Sequence, residues 1–219
     1  MRKTTCLTMA LTLVAAGSVL AQAPRSSTPK AGAAAAPVRL VLAPSGNEVR
    51  FIVREQLAGA ELPNDAIGAT SAITGGILFG GDGKVDPAKS RITIDLTTLK
   101  SDRDRRDGFI KRRTIVTDSF PHAEFVLKEV GGLPAAFPSS GQLTLTLVGD
   151  MTIRGVTKVQ TWEATAAVDG VDITGKAVTR IKFGDYGMTQ PRVAIVLSVV
   201  DDIKLEYDFH FVREAASTP

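Results

Sequence analysis

Apolar and polar residues alternate with a period of two over most of residues 38–212, which is the pattern of half-buried β-strands. The alternation is strictest over residues 203–211, where every second residue is aliphatic or aromatic. Strands are predicted at residues 38–42, 49–54, 75–79, 91–96, 123–127, 143–153, 159–166, 177–183 and 203–212. Because each strand has one apolar face, the strands must share one interior, and a closed antiparallel β-barrel provides it.

Four segments interrupt this pattern. Residues 44–47 predict a turn that pairs the first two strands, and residues 56–70, rich in Gly, Ala, Pro, Asn and Asp, predict a long loop. In residues 100–118, 11 of 19 residues are charged, and Ser101 followed by Asp104 predicts the N-terminus of a short helix. A second short helix is expected around residues 197–201. The fold class is therefore all-β with one or two short helices.

The ends of the chain differ from the strand region. Arg2 and Lys3 precede an apolar run that ends in Ala-Gln-Ala, as in a secretory signal peptide. The predicted segments are a signal peptide at 1–23, a Pro/Ala-rich linker at 24–37, a barrel domain at 38–213 and a tail at 214–219. We expect a periplasmic or secreted protein without a stable membrane span, and without a thiol once the leader carrying Cys6 is removed.

Charge and motifs narrow the function. The formal net charge is +3, and removal of the leader's two basic residues leaves +1, so no nucleic-acid partner is expected. The sequence has none of the motifs for nucleophilic catalysis, phosphate binding or dinucleotide binding, so we predict neither enzyme activity nor a cofactor. His122 and His210 are the only histidines and are far apart in sequence, which predicts no metal site.

Three ordered motifs carry a family resemblance. They are R-D-G-F-I-K at 106–111, F-P-H-A-E-F at 120–125 and G-D-M-T-I-R-G-V-T-K at 149–158. Together they resemble the YceI-like family of exported lipid-binding proteins over about residues 38–213. The resemblance implies an extended, lipocalin-like, eight-stranded antiparallel barrel whose lumen holds a long polyisoprenoid or another amphipathic lipid. The chain departs from the family pattern at 56–70 and at 114–116, both of which are expected near the barrel mouth.

Candidate ligand-binding residues come from two sources. One is the set of strand positions whose alternation points them toward the barrel interior, and the other is the charged segment at 100–118. The apolar candidates are Phe51, Phe79, Phe109, Phe125, Trp162, Phe183, Tyr207 and Phe209. Such side chains either line a lipid channel or fill a core. Arg103 and Arg106 are the basic candidates, because arginine binds phosphate in a bidentate manner. Their alternative role is ion pairing with neighbouring aspartates on a solvated helix.

Three functional hypotheses follow. The first is an exported protein that sequesters or carries a long-chain isoprenoid or similar lipid. The second is a cell-envelope interaction module that uses the 56–70 loop. The third is an enzyme acting on the bound lipid through Asp104 and Asp107. The identity of the lipid, the openness of the lumen and the formation of a homodimer are left open by the sequence.

Overall fold

The computed structural model describes residues 36–59, 61–134 and 137–214. The predicted signal peptide, most of the predicted linker and the tail beyond Glu214 lie outside these residues. The strands are β1 Val38–Leu42, β2 Glu48–Leu57, β3 Asn64–Thr70, β4 Ile73–Phe79, β5 Arg91–Asp95, β6 Lys100–Ser101, β7 His122–Gly131, β8 Ser140–Ile153, β9 Val156–Asp169, β10 Asp172–Ile181 and β11 Val196–Arg213. The helical segments are α1 Asp104–Phe109, a π-helical continuation Ile110–Ile115, and the 3-10 turns Pro87–Lys89, Leu96–Thr98 and Phe183–Tyr186.

The sheet closes on itself as a barrel. Its order is β1-β4-β5-β7-β8-β9-β10-β11, β11 pairs again with β1, and every pairing is antiparallel. Three pairs of short strands, β1 with β2, β3 with β4, and β5 with β6, continue one another along the barrel. The described strands therefore occupy eight positions around a closed barrel, which confirms the predicted fold class.

The segment between β1 and β2, residues 43–47, is not the hairpin turn that was predicted at 44–47. It does not fold β2 back onto β1, since both strands run antiparallel to β11, with Leu42 opposite Phe211 and Glu48 opposite Asp208. Asn47 stabilises the interruption because its side-chain amide donates to the carbonyl oxygen of His210 at 3.2 Å and its Oδ1 accepts from the His210 N–H at 3.0 Å. This side chain satisfies backbone groups that strand pairing would otherwise satisfy.

The predicted loop at 56–70 is wrong. β2 continues to Leu57, β3 begins at Asn64, and β3 pairs with β2 along its whole length. Its small residues suggested a loop, but they face the interior, where Gly68 lies against the ring of Phe51. Residues 58–63 alone connect β2 to β3, so the predicted long loop is contradicted, while the interaction module itself stays a hypothesis.

The helix expected around 197–201 is also wrong, because these residues belong to β11. Register irregularities between Val196 and Ser198 and between Val199 and Ile203 disturb the pairing with β2. Such bulges add residues to one strand and break the period-two alternation. The sequence pattern was therefore not recognisable as a strand.

A short helix follows Ser101 as expected, but its N-terminus is built differently. The residue before the helix is Arg103, which makes no side-chain capping bond. Asp107, rather than Asp104, accepts hydrogen bonds from the N–H of Ser101 at 2.9 Å and from its hydroxyl at 2.6 Å. The chain leaves the sheet after β6 and returns at β7, and α1 and the π-helical segment lie between these two strands.

Candidate functional site

The barrel encloses two adjoining cavities of about 580 Å³ and about 180 Å³. The larger one, here called the outer chamber, is lined by α1, the π-helical segment, β2, β3 and the start of β11. The smaller one, the inner chamber, lies among the aromatic side chains of β4, β7, β9 and β11. Both are bounded by the same six residues, Val49, Ile94, Leu96, Ala123, Ile153 and Leu205. We call this shared ring the waist.

The inner chamber has an aromatic wall. Phe79, Phe125, Trp162, Tyr207 and Phe209 all line it. The rings of Phe125 and Trp162 meet edge to face with 6.1 Å between centroids, and those of Tyr207 and Phe209 are 5.8 Å apart. Burial raises the pKa of the Tyr207 hydroxyl, which therefore stays protonated and donates to Asn47 Oδ1 at 3.2 Å.

The remaining five predicted site residues line the outer chamber. They are Phe51, Phe109, Phe183, Arg103 and Arg106. All ten predicted residues therefore face one chamber or the other, although their contact with a ligand stays a prediction. The outer chamber reaches solvent at the end of the barrel where Arg103, Arg105 and Ile195 are exposed.

The lumen is partly filled and partly open. Gly149 does not leave free space, because a Cβ atom there would lie 2.8 Å from the Phe125 ring. Ala164, Ala166 and Ala177 are buried and line the inner chamber, so their small side chains leave volume between the aromatic rings. Aromatic residues thus reduce the lumen without closing it.

Arg106 is already engaged in the wall of the outer chamber. It donates to Glu55 at 2.6 Å and also binds the Asp102 carboxylate, and the side chains of Arg106 and Glu55 are only 12% and 8% exposed. Arg103 is exposed and lies 3.6 Å from Asp102. An anionic head group would have to compete with two carboxylates for Arg106.

Two parts of the outer chamber were missed by sequence analysis. Glu55 is buried and lines the chamber, and it continues the inward parity of Val49, Phe51 and Val53, so extending that alternation would have found it. The second part is the run from Met188 to Val199, several residues of which line the chamber. Its interrupted alternation gave no comparable signal.

Within the described residues, no group of three or more His, Cys, Asp or Glu side chains is arranged to hold a metal ion. His210 contacts Asp172 at 2.8 Å and the Ser45 carbonyl oxygen at 3.2 Å. Asp107, one of the proposed catalytic carboxylates, binds Ser101. In the same part of the chain, no helix has both the length and the apolar character needed to cross a bilayer.

Comparison with known proteins agrees with this geometry. The model of the YceI-like domain matches residues 40–211, which is most of the chain. The chain belongs to the YceI-like family. Its fold is shared with a polyisoprenoid binding domain from Saccharophagus degradans implicated in plant cell wall breakdown, with a TM-score of 0.62 and 13% identity over 80% of this chain and 98% of that one.

The chain is also similar to a second solved structure and to curated bacterial proteins. Burkholderia cenocepacia BcnA matches with a TM-score of 0.53 and 20% identity over 76% of this chain and 95% of that one. UPF0312 proteins of Pseudomonas putida strain W619 and Pseudomonas fluorescens strain SBW25 are 33% and 32% identical over 114 residues, covering 48% of this chain. The match spans 56% of each of these curated relatives, about half of their length. At these identities, the structural likenesses establish the fold alone.

Proposed function

We propose that this chain is an exported binding protein that holds a long isoprenoid, or a similar amphipathic lipid, in the lumen of its barrel. The observation that carries the proposal is the pair of adjoining apolar chambers that open at one end. The volume of the outer chamber, about 580 Å³, falls within the range of small-molecule sites in proteins. Membership of the YceI-like family and the name of the Saccharophagus neighbour support the same ligand class.

The two chambers suit different parts of such a ligand. The inner chamber offers aromatic and aliphatic surface, which favours the burial of hydrocarbon. The outer chamber carries polar groups of Arg103, Glu55 and Arg106 together with its apolar lining. This difference supports an arrangement in which the tail occupies the inner chamber and the head group occupies the outer one. A fourteen-residue strand such as β8 spans ~45 Å along its own direction, which matches an extended lipid better than a compact ligand.

Binding without chemistry is the role assigned here. The expected location is the periplasm or the exterior, in accord with the predicted signal peptide at 1–23. A protein of this kind would keep an insoluble lipid in solution between membranes or enzymes. The 24–37 segment would then act as a flexible linker ahead of the barrel.

Native mass spectrometry of gently purified protein tests the proposal. We expect an adduct whose mass and extracted composition identify a lipid with a long hydrocarbon chain. Protein stripped of lipid should recover the adduct when incubated with a polyprenol and should not bind a hydrophilic sugar of similar mass. Repeated recovery of unliganded protein that also fails to take up added polyprenol would contradict the proposed function.

A further inference from the structure

An apolar segment borders the entrance of the outer chamber. Residues 193–200 read Val-Ala-Ile-Val-Leu-Ser-Val-Val, so only one of the eight is polar. Val193, Val196 and Val199 line the chamber from this segment. Ile195 and Leu197 are 57% and 66% exposed, which is unusual for large aliphatic side chains so close together.

Another exposed apolar side chain, that of Leu62, lies beside this segment. The turn that joins β2 to β3 carries Leu62, which is 76% exposed. This turn directly follows Leu57, the partner of Val196 in the sheet, and the N–H of Ala58 donates to the carbonyl oxygen of Ile195 at 2.9 Å. Leu62, Ile195 and Leu197 therefore occupy the same end of the barrel, and we call them the apolar rim.

The same end of the barrel carries excess positive charge. The span from 102 to 115 contains six basic and three acidic residues. Among the residues that the structure describes, Arg105, Arg112, Arg113 and Arg192 have no ion-pair partner, and Arg105 lines the outer chamber. Acidic Glu61 and Asp104 are present on this end too, so the surface is mixed with a basic surplus.

We propose that the apolar rim and its surrounding arginines dock the open end of the barrel onto an anionic phospholipid surface. Exposed aliphatic side chains next to basic ones are the combination that binds the membrane interface, since the apolar groups enter the acyl boundary while the cations approach lipid phosphates. Docking at this end would bring the outer chamber to the bilayer, so a lipid could pass between them without crossing water. This inference rests on the proposed function for its purpose, but vesicle binding is measured separately from lipid content.

Co-sedimentation with vesicles tests the docking. The mature chain should bind vesicles of equal parts phosphatidylcholine and phosphatidylglycerol, and should bind pure phosphatidylcholine more weakly. Leu62→Asp/Leu197→Asp, which alters two apolar-rim residues that line neither chamber, should lower the affinity by about tenfold or more, because two aliphatic groups no longer enter the interface. The matched control is Val159→Asp/Val171→Asp, whose valines are 66% and 53% exposed on the outer wall and on the β9–β10 turn, and it should bind as the wild type does.

A separate variant tests how much the arginines contribute to vesicle binding. Arg112→Glu/Arg113→Glu should abolish the preference for phosphatidylglycerol, and added salt should weaken wild-type binding in the same direction. Neither effect is expected with Arg39→Glu, a basic residue on β1 that pairs with Glu214.

A site-specific label gives a second readout. Because Cys6 belongs to the predicted leader, the mature chain accepts a single introduced cysteine. An environment-sensitive dye on Leu197→Cys should shift to the blue on anionic vesicles, whereas the same dye on Val171→Cys should not. The proposal is overturned if neither dye or both dyes shift, or if the Asp variant and its control bind equally. It is also overturned if the apolar rim proves to join two copies of the chain that do not bind vesicles.

Failure of docking and failure of the proposed function give different results. Native mass spectrometry of Leu62→Asp/Leu197→Asp should still show bound lipid, because neither leucine lines the outer or the inner chamber. Bound lipid without vesicle binding contradicts the docking alone. Vesicle binding by a chain that never carries lipid contradicts the proposed function alone.

Discussion

Glu55 places a carboxylate in the wall of an otherwise apolar chamber, where its contact with Arg106 offsets part of the lost hydration. Such a pair adds little net stability compared with apolar residues, but removal of one partner leaves a buried charge without compensation. The pair also joins α1 to β2 across the entrance. Its most direct physical role is therefore to fix the helix over the outer chamber.

Arg106→Met tests this role. The substitution leaves Glu55 buried without its partner, so we expect the free energy of unfolding to fall by about 3–5 kcal/mol in urea denaturation. The control is Arg54→Met, which breaks the exposed pair between Arg54 on β2 and Asp65 on β3 and should change stability by less than about 1 kcal/mol. Glu55→Met/Arg106→Met should recover much of the loss. Equal effects of Arg106→Met and Arg54→Met would contradict a buried, coupled pair.

The Glu206 carboxylate, on the outer wall of the barrel, makes the stability of the fold depend on pH. Its hydrogen bond with Lys204 at 2.6 Å, with Lys176 and Arg50 nearby, lowers the pKa of the Glu206 carboxyl group to about 2 from its ordinary 4.5. The stabilisation is therefore fully present above about pH 4.5 and is lost as the pH falls toward about 2.

Glu206→Gln should consequently lower the free energy of unfolding at neutral pH by about 1–2 kcal/mol, after allowance for solvent screening. The difference from the wild type should shrink as the pH falls below about 4.5, which urea unfolding at several pH values would measure. Glu163→Gln, on an exposed position of β9, serves as the control. A difference that stays constant down to about pH 2 would show that charge is not its cause.

The alternation of odd and even positions along each strand was enough to identify residues that face the lumen. Trp162, Phe209 and Phe51 were assigned inward positions from alternation alone, and all three line a chamber. Glu55 has the same parity as Phe51, but the predicted strand ended at residue 54 and the predicted loop began at residue 56, so Glu55 was assigned to neither. Hydrophobicity therefore identified the apolar lining but not the buried charge.

At the scale of elements, β3 shows why composition misled. Its sequence, NDAIGAT, has few residues with high β-propensity, but propensity depends on what packs against a strand. Gly68 stands opposite Phe51 in the ladder, and a Cβ atom there would lie 2.2 Å from the Phe51 ring. The small residue on β3 and the large one on β2 are thus one packing unit, which local sequence cannot reveal.

Gly68→Ala should disrupt the packing of β3 against the Phe51 ring. The new methyl group must push the Phe51 ring into the outer chamber, so we expect a loss of about 1–3 kcal/mol in stability, as in other overpacked cores. Gly184→Ala is the control, because nothing lies within 4 Å of the position of its Cβ atom, and it should stay within about 0.5 kcal/mol of the wild type. In a Phe51→Leu background, Gly68→Ala should be less harmful. An equal loss in both backgrounds would rule out the ring as the cause.

Closure of the barrel depends on pairings between strands that are far apart in the sequence, so it could be established only from the structure. The eighteen-residue β11 pairs with β10 on one side, and on the other side first with β2 and then with β1. Strand number and alternation indicated a barrel, but the reading of β1 and β2 as a hairpin followed from their proximity in sequence. Only the shared partner β11 shows that they form one position, and this makes the barrel long enough for two chambers.

Because the waist residues line both chambers, we predict that a larger side chain there would separate the two chambers. Val49 borders both of them, so Val49→Phe should block the passage between them while leaving the outer chamber able to bind. If one lipid occupies both chambers, the variant should retain lipids with shorter hydrocarbon chains than the wild type, as measured by native mass spectrometry and analysis of extracted lipid. Val159→Phe, on the exposed outer face of β9, should leave the chain lengths unchanged. An unaltered lipid profile in a folded Val49→Phe protein would mean that the ligand occupies only one chamber.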